Sequence, residues 1–140
     1  MKWILLGFIL QSHGWESLHA QSRADNIRKA NNKKVPNIQT GTASYYHAKF
    51  QGRLTASGEK YDQLRMTAAH NRLPMNTWIK VTNLQNKRSV IVRVNDRLHY
   101  KNKRLVDLSK SAAAKLGYVG WGLARVKVEV LKDYHGGTKE

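Results

Sequence analysis

The hydrophobic positions of this chain alternate with polar ones in several short runs, and the run most useful for function spans residues 89–97. Four of its residues are β-branched, which favours a buried strand over a helix: Val90, Ile91, Val92 and Val94. The run ends in Asn95-Asp96-Arg97. An aspartate at the end of a strand is held rigidly among apolar neighbours, where its pKa can rise far enough for acid chemistry. Asn-Asp after a strand is also ordinary turn chemistry, so the triplet alone leaves both interpretations open.

The same patterns predict further strands, a hairpin and one short helix. The additional strands are predicted over residues 41–47, 78–84, 105–108 and 123–131, with a hairpin turn at 85–87. Ser109 is predicted to cap a helix over residues 111–116, which Gly117 ends, and Asn76 suits a left-handed turn position. Residues 50–61 show no period of 2 or 3.6 and predict a loop, which in a small domain is more often functional than not. These elements predict a small barrel or a compact α+β domain, and the pattern alone does not choose between them.

The two ends of the chain are predicted to lie outside this domain. Residues 1–20 combine a positive start, a short apolar core and a small residue at a candidate cleavage point, which is typical of a secretory signal peptide. An uncleaved anchor is the alternative, and only in that case do we expect membrane association. Residues 21–40 predict a flexible basic linker and residues 132–140 a frayed tail, which leaves 41–131 as the domain.

Composition adds a strong positive charge and excludes thiol chemistry. The 140 residues include 25 Lys+Arg against 9 Asp+Glu and no cysteine, so disulfides, cysteine nucleophiles and cysteine metal sites are excluded. A formal net charge of +16 predicts a polyanionic partner. Nucleic acid is the default for such a charge, but an exported protein meets the anionic polymers of the periplasm or cell envelope instead. His47, His70 and His99 lack metal-ligand spacing, and we predict no metal, no cofactor and no protein partner.

A series of short motifs follows in a fixed order along the predicted domain. They are Gly41-Thr42-Ala43-Ser44-Tyr45-Tyr46, Phe50-Gln51-Gly52-Arg53-Leu54-Thr55-Ala56-Ser57-Gly58-Glu59, Thr67-Ala68-Ala69-His70, Leu73-Pro74, Val81-Thr82-Asn83, Val94-Asn95-Asp96-Arg97, Val106-Asp107-Leu108-Ser109 and Ala113 to Gly117. As a set they resemble the rare lipoprotein A family, the septal-ring lytic transglycosylases of bacteria. The resemblance covers residues 41–131 and implies a six-stranded double-psi β-barrel with one short helix and an open groove, related more distantly to expansins.

The resemblance also implies a substrate and a reaction. The substrate would be the glycan strands of peptidoglycan, preferably without stem peptides. The β-1,4 bond between N-acetylmuramic acid and N-acetylglucosamine would be cleaved without water, leaving a 1,6-anhydro end. One carboxyl group can serve this reaction twice, first as the acid for the leaving oxygen and then as the base for the attacking 6-hydroxyl.

The resemblance implies two catalytic carboxylates, Asp96 as acid and base and Glu59 as the second. His70 is either a buried brace of its loop or a substrate contact, and the tyrosines either stack on sugar rings or belong to the core. The further residues expected to bind substrate or to position the site are Ser57, Tyr45, Tyr61, Asn95 and Arg97.

Three positions depart from the family pattern. Leu98-His99 follows Asn95-Asp96-Arg97 where the family usually has Gly-Pro, which predicts a bulkier turn near the acid. Lys87 stands where a hairpin glycine is expected. Glu59 and Asp96 therefore favour an exported lytic transglycosylase, whereas Leu98-His99 favours a non-catalytic, expansin-like module that binds or loosens the wall. An exported nucleic-acid binder, which is not expected, would show steeply salt-dependent binding that ignores Asp96.

Overall fold

The computed structural model describes residues 19–25 and 34–137. The chain divides into two units, Met1–Lys34 and Val35–Glu140. In the first unit residues 19–25 are helical, and the Ser22 hydroxyl donates to the His19 carbonyl at 3.0 Å. The predicted signal peptide or anchor falls largely on residues 1–18, outside the described residues. Within the described ranges, no helix has the length and apolar character needed to cross a membrane.

The second unit is a closed barrel of six strands, as the family resemblance implies. The strands are β1 (Ile38–Tyr45), β2 (Thr67–Ala69), β3 (Trp78–Asn83), β4 (Ser89–Asp96), β5 (Val106–Leu108) and β6 (Ala124–Val130). They close in the order β1-β5-β2-β4-β3-β6, with parallel pairing in β1/β5 and β2/β4 and antiparallel pairing elsewhere. One α-helix, α1 (Lys110–Leu116), and a 3-10 turn at Ala48–Phe50 lie in the connections. The fold is a double-psi β-barrel.

The barrel core follows from the period-2 alternation of its strands. In β4 the side chains of Val90, Val92 and Val94 are buried, while Ile91 points outward. Val81 of β3 is likewise buried in the core. Each fully buried valine of this kind contributes roughly 1.5–3 kcal/mol relative to an exposed one. The β-branched run therefore forms one wall of the core and fixes the direction in which β4 presents its last residues.

The predicted helix signals are confirmed. The Ser109 hydroxyl accepts from the Ala112 amide at 3.3 Å, and Gly117 has φ 77° while its amide donates to Ala113 and Ala114. The helix buries Ala112, Ala113 and Leu116 against the barrel, which adds packing to the two caps.

The structure differs from the sequence prediction in three places. Strand β1 begins at Ile38, earlier than Gly41, because its first residues pair with β6, where Ile38 faces Glu129. Thr67–Ala69 is a strand that no pattern predicted, since three residues are too few to show a period. In the described part of the predicted frayed tail, the ring of Tyr134 packs edge-on against Trp78, with centroids 5.1 Å apart.

Candidate active site

Asp96 is the last residue of β4, and each of its carboxylate oxygens has a defined partner. Oδ1 accepts from the backbone amides of Ala56 and Arg97, both at 2.8 Å. Oδ2 accepts from the Tyr46 hydroxyl at 2.5 Å. Because a carboxylate oxygen offers about two lone-pair positions, Oδ1 is fully used, whereas Oδ2 keeps one for another partner. Proton exchange at Asp96 is therefore directed to Oδ2.

Tyr46 follows strand β1 and is fixed by aromatic packing. Its ring centroid lies 4.4 Å from that of Tyr61 and 5.9 Å from that of Phe50. Burial raises the pKa of the Tyr46 hydroxyl above its ordinary value, and the bond to Asp96 raises it further. The hydroxyl therefore remains protonated and donates to Asp96 over the whole physiological pH range.

Residues 50–61 form an ordered turn that docks on the end of β4. Within this loop Leu54 and Lys60 form an isolated antiparallel bridge, and the Thr55 amide donates to the Glu59 carbonyl at 2.8 Å. The Ser57 amide donates to the Asn95 carbonyl at 3.1 Å, next to the Ala56 contact with Asp96. The Ser57 hydroxyl bonds the Thr55 hydroxyl at 2.9 Å, inside the loop. The loop thus supplies a backbone donor to the site.

Glu59 holds the other side of this loop through Arg93 of β4. The Arg93 guanidinium donates to both carboxylate oxygens, at 2.6 and 2.7 Å, and to Asn76 Oδ1 at 2.8 Å. These hydrogen bonds from Arg93 hold the pKa of the Glu59 carboxyl below its ordinary value. Glu59 is therefore an ionised partner of Arg93, which is unsuited to donating a proton.

His70 is 2% exposed and neutral. Its Nδ1 accepts from the Arg72 and Leu73 amides, both at 3.1 Å, which places the ring proton on Nε2. Burial, with the charges of Arg97 and Arg72, lowers the pKa of His70 to about 4. The His70 carbonyl accepts from Arg97 Nη1 at 2.6 Å, so the residue also fixes the side chain that follows Asp96.

A groove of about 590 Å³ opens beside Asp96. One part of its lining is aromatic or apolar: Tyr45, Tyr46, Phe50, Leu54, Tyr61, Ala69 and Leu98. The rest is polar and mainly basic: His47, Arg53, Thr55, Asp96, Arg97, His99, Asn102, Arg104 and Asp107. The combination suits a ligand with apolar sugar faces and negative charges.

The Leu98-His99 turn lines this groove without closing it. Leu98 is 7% exposed and His99 is exposed, and neither has a positive φ. The turn is therefore accommodated without left-handed backbone strain, so the groove beside Asp96 does not depend on glycine at this point.

Comparison with known proteins identifies the family. Residues 38–128 match the family described as lytic transglycolase. The chain belongs to this family. Proteins named endolytic peptidoglycan transglycosylase RlpA are similar to it in Haemophilus influenzae, with 50% identity over 103 residues, and in Pseudomonas aeruginosa, with 58% over 89 residues. These alignments cover 74% and 64% of this chain but 36% and 26% of the relatives, so the chain spans well under half their length.

Solved structures with the same fold are more distant. The Streptomyces papain inhibitor matches with a TM-score of 0.57 and 22% identity, covering 71% of this chain and 100% of the inhibitor. An expansin of Clavibacter michiganensis matches with a TM-score of 0.57 and 24% identity, covering 72% of this chain and 54% of the expansin. At these identities the likeness supports the barrel alone.

In this lytic transglycolase family member, the predicted site residues separate into two groups. Those that line the groove are Tyr45, Tyr61, Asp96 and Arg97. Those outside its lining are Ser57, Glu59, His70 and Asn95. Two of the groove residues are also structural, since the Tyr45 hydroxyl donates to the Val119 carbonyl at 3.0 Å and the Tyr61 hydroxyl accepts from the Lys110 amide at 3.3 Å.

The sequence does not predict two contacts of the candidate site. The sequence predicts for Tyr46 either stacking on a sugar ring or a place in the core, and its bond to Asp96 spans 50 positions, which no local pattern reveals. Arg93 lies within the predicted strand, and a charged residue inside an apolar run is a signal that a buried or half-buried partner exists. That partner is Glu59, 34 positions away.

Proposed function

We propose that this protein is an exported lytic transglycosylase that cleaves the β-1,4 bond between N-acetylmuramic acid and N-acetylglucosamine in peptidoglycan strands. The observation that carries the proposal is the Asp96 carboxylate, held at the end of β4 with one open position on Oδ2 and facing a groove. The relatives named as endolytic peptidoglycan transglycosylases support the same reaction. Such a substrate places the protein in the periplasm or cell envelope.

The reaction uses Asp96 twice. Protonated Oδ2 gives its proton to the glycosidic oxygen as the bond to the anomeric carbon breaks, and the released N-acetylglucosamine end carries that proton. The 6-hydroxyl of the same muramyl residue then attacks the anomeric carbon, and Asp96 takes the proton from it. The 1,6-anhydro ring is formed, Asp96 is again protonated, and no water is consumed.

The neighbours of Asp96 set the geometry of these transfers. The Ala56 and Arg97 amides fix Oδ1, and the Tyr46 hydroxyl fixes the plane of the carboxyl group. Glu59, ionised and paired with Arg93, holds the loop that supplies the Ala56 amide. We therefore assign Asp96 as the catalytic residue and Glu59 as a positioning residue.

The groove suits a glycan strand. Its aromatic side chains provide flat apolar surfaces for sugar rings, and the guanidinium groups of Arg53 and Arg97 provide positive charge for muramyl carboxylates. A neutral polysaccharide would not use these charges. The formal net charge of +16 would also attract a negatively charged strand to the protein.

The deciding experiment is incubation of the full chain with peptide-free peptidoglycan strands, followed by mass spectrometry of the products. We expect 1,6-anhydromuramyl ends that vanish with Asp96→Asn and persist with Asp133→Asn, an exposed carboxylate outside the groove lining. Reducing ends instead of anhydro ends would indicate hydrolysis and would contradict the proposed reaction.

The second candidate is a non-catalytic module that binds or loosens the wall. The Leu98-His99 turn in the groove lining favours it, because it places bulk beside Asp96. This function predicts no product and glycan binding that survives Asp96→Asn. That pair of results would replace the first proposal.

A further inference from the structure

The groove contains a second carboxylate besides that of Asp96. Among the described residues that line it, the acids are Asp96 and Asp107, whereas Glu59 lies outside the lining. Strand pairing explains this arrangement, because Ala69 of β2 is the register partner of Asp96 in β4 and of Asp107 in β5. Since adjacent strands lie about 4.7–4.9 Å apart, the backbones of the two acids are about 10 Å apart, with the small Ala69 side chain between them. A sugar ring above Ala69 would have one carboxylate on each side.

Asp107 is held by defined partners in the same manner as Asp96. Its Oδ1 accepts from the Ser44 hydroxyl at 2.7 Å and from Arg104 Nε at 2.8 Å, which uses both lone-pair positions. Its Oδ2 accepts from Arg104 Nη2 at 3.0 Å, so within the described residues one position on this oxygen remains. Asp96 likewise has Oδ1 fully used and Oδ2 partly open. Each acid therefore keeps an oxygen available to a ligand in the groove.

The partners of the two acids differ in charge. Asp96 accepts from two backbone amides and a phenol, which are neutral, whereas Asp107 forms an ion pair with Arg104. Burial raises the pKa of the Tyr46 hydroxyl, and the bond to Asp96 and the charges of Asp96 and Asp107 raise it further. The negative charge of Asp107 thus acts at the same hydroxyl that binds Asp96 Oδ2.

We propose that Asp107 is a second catalytic carboxylate, which stabilises the positive charge developing on the anomeric carbon and the ring oxygen while Asp96 transfers the proton. The inference rests on the proposed function, because it assigns a role within that reaction. As the glycosidic bond breaks, its electron pair leaves with the oxygen and the sugar ring becomes cationic. A fixed anion beside the ring lowers the energy of that state without itself forming or breaking a bond. Asp107, unlike Glu59, lines the groove in which this charge forms.

The test breaks the ion pair between Asp107 and Arg104 from either side. Asp107→Asn removes the anion, whereas Arg104→Gln removes the cation and leaves the anion in the groove. Initial rates of anhydro-end formation by the full chain, measured across concentrations of peptide-free strands, give kcat and KM separately. We expect Asp107→Asn to lower kcat about 10- to 100-fold and Arg104→Gln to lower it less than about threefold.

A double variant, Asp107→Asn with Arg104→Gln, leaves no unpaired charge at this position. It should have the low kcat of Asp107→Asn, and it carries the comparison if an unpaired Arg104 prevents the single variant from folding. Glu129→Gln is the matched control, because it breaks another partly exposed ion pair, with Lys127 at 3.3 Å, outside the groove lining. It should keep the kcat of the parent.

The outcomes separate a catalytic role from a structural one. Both single variants break the same ion pair, so a purely structural pair predicts an equal fall in kcat for the two. That result, or a change in KM alone with Asp107→Asn, would overturn the assignment of Asp107 and leave the enzyme proposal intact. If the parent produces no anhydro ends, the enzyme proposal itself is wrong, and the role of Asp107 falls with it.

Discussion

The Tyr46 hydroxyl donates to Asp96 Oδ2 at 2.5 Å and joins the end of β1 to the end of β4. Tyr46 is itself held between Phe50 and Tyr61. The orientation of the proposed catalytic carboxyl group therefore depends on this aromatic cluster. A substitution in the cluster can alter the rate of the proposed reaction even at a residue that does not contact the substrate.

Tyr46→Phe should lower kcat by about 10- to 100-fold with little change in KM, because it removes a bond that orients the acid and leaves the ring in the groove wall. Initial rates of anhydro-end formation across substrate concentrations separate the two constants. Tyr100→Phe is the control, since this tyrosine is exposed and lies outside the groove lining. An unchanged kcat in Tyr46→Phe would remove Tyr46 from the positioning role.

The Glu59 pair with Arg93 should add stability that depends on pH. Because the pKa of Glu59 is lowered in the fold, its contribution is present above the ordinary value of 4.5 and is lost as the pH falls through the lowered value. The pair is partly solvated, so the contribution is about 1 kcal/mol or less. Urea unfolding of the parent and Glu59→Gln between pH 7 and pH 3 measures it. A difference that does not shrink below pH 4.5 would contradict this account.

His70 should make the stability of the fold depend on pH in a separate range, at higher pH than the range for Glu59. The unfolded side chain titrates near 6.5 and the folded one at a pKa of about 4, so the unfolded chain binds more protons between these values. The contribution of His70 is complete above pH 6.5, falls as the pH drops towards 4, and amounts to about 3 kcal/mol. Unfolding free energies of His70→Gln should decline less over this range than those of the parent.

The control for this window is His135→Gln, which changes an exposed histidine. Its unfolding free energy should follow that of the parent at every pH. Parallel curves for the parent and His70→Gln would mean that the buried ring does not govern the acid sensitivity.

Lys87→Gly should stabilise the hairpin between β3 and β4. Lys87 has φ 63°, a conformation that costs a residue with a Cβ about 1–2 kcal/mol, whereas glycine adopts it readily. Glycine also increases the conformational entropy of the unfolded chain, which opposes this effect. The net increase in the free energy of unfolding is then about 0.5–1 kcal/mol. Thermal or urea unfolding measures the gain, and Lys87→Ala, which removes the charge but keeps the Cβ, should not show it.

The sequence predicted those features whose causes are local. The caps of α1, the left-handed Asn76 and the strand that ends at Asp96 each depend on residues within a few positions. Lys87 stands where the family pattern has glycine, and its φ of 63° agrees with that. These signals, with the ordered motifs, were sufficient for the barrel.

Contacts between distant segments were not predictable in this way. No local pattern predicts the partners of Asp107, which accepts from the Ser44 hydroxyl, 63 positions earlier, at 2.7 Å and from Arg104 at 2.8 Å. The short β2 exists because it lies between β4 and β5, which its own three residues do not reveal. The pairing of Glu59 with Arg93 is not predictable for the same reason, because these residues lie 34 positions apart and meet only when the loop and β4 come together in the closed barrel.

The closure of the barrel determines when, during folding, the site around Asp96 can assemble. The Ala56 amide and the Tyr46 hydroxyl that bind Asp96 come from segments 40 and 50 positions earlier, and the sheet is completed only when β6, at Ala124–Val130, pairs with β1 and β3. When contacting residues lie this far apart in the sequence, the chain loses the entropy of the intervening loops before the distant strands gain their contacts. A nascent or partly folded chain therefore lacks the assembled carboxyl site, and the proposed activity would arise only once the domain is complete.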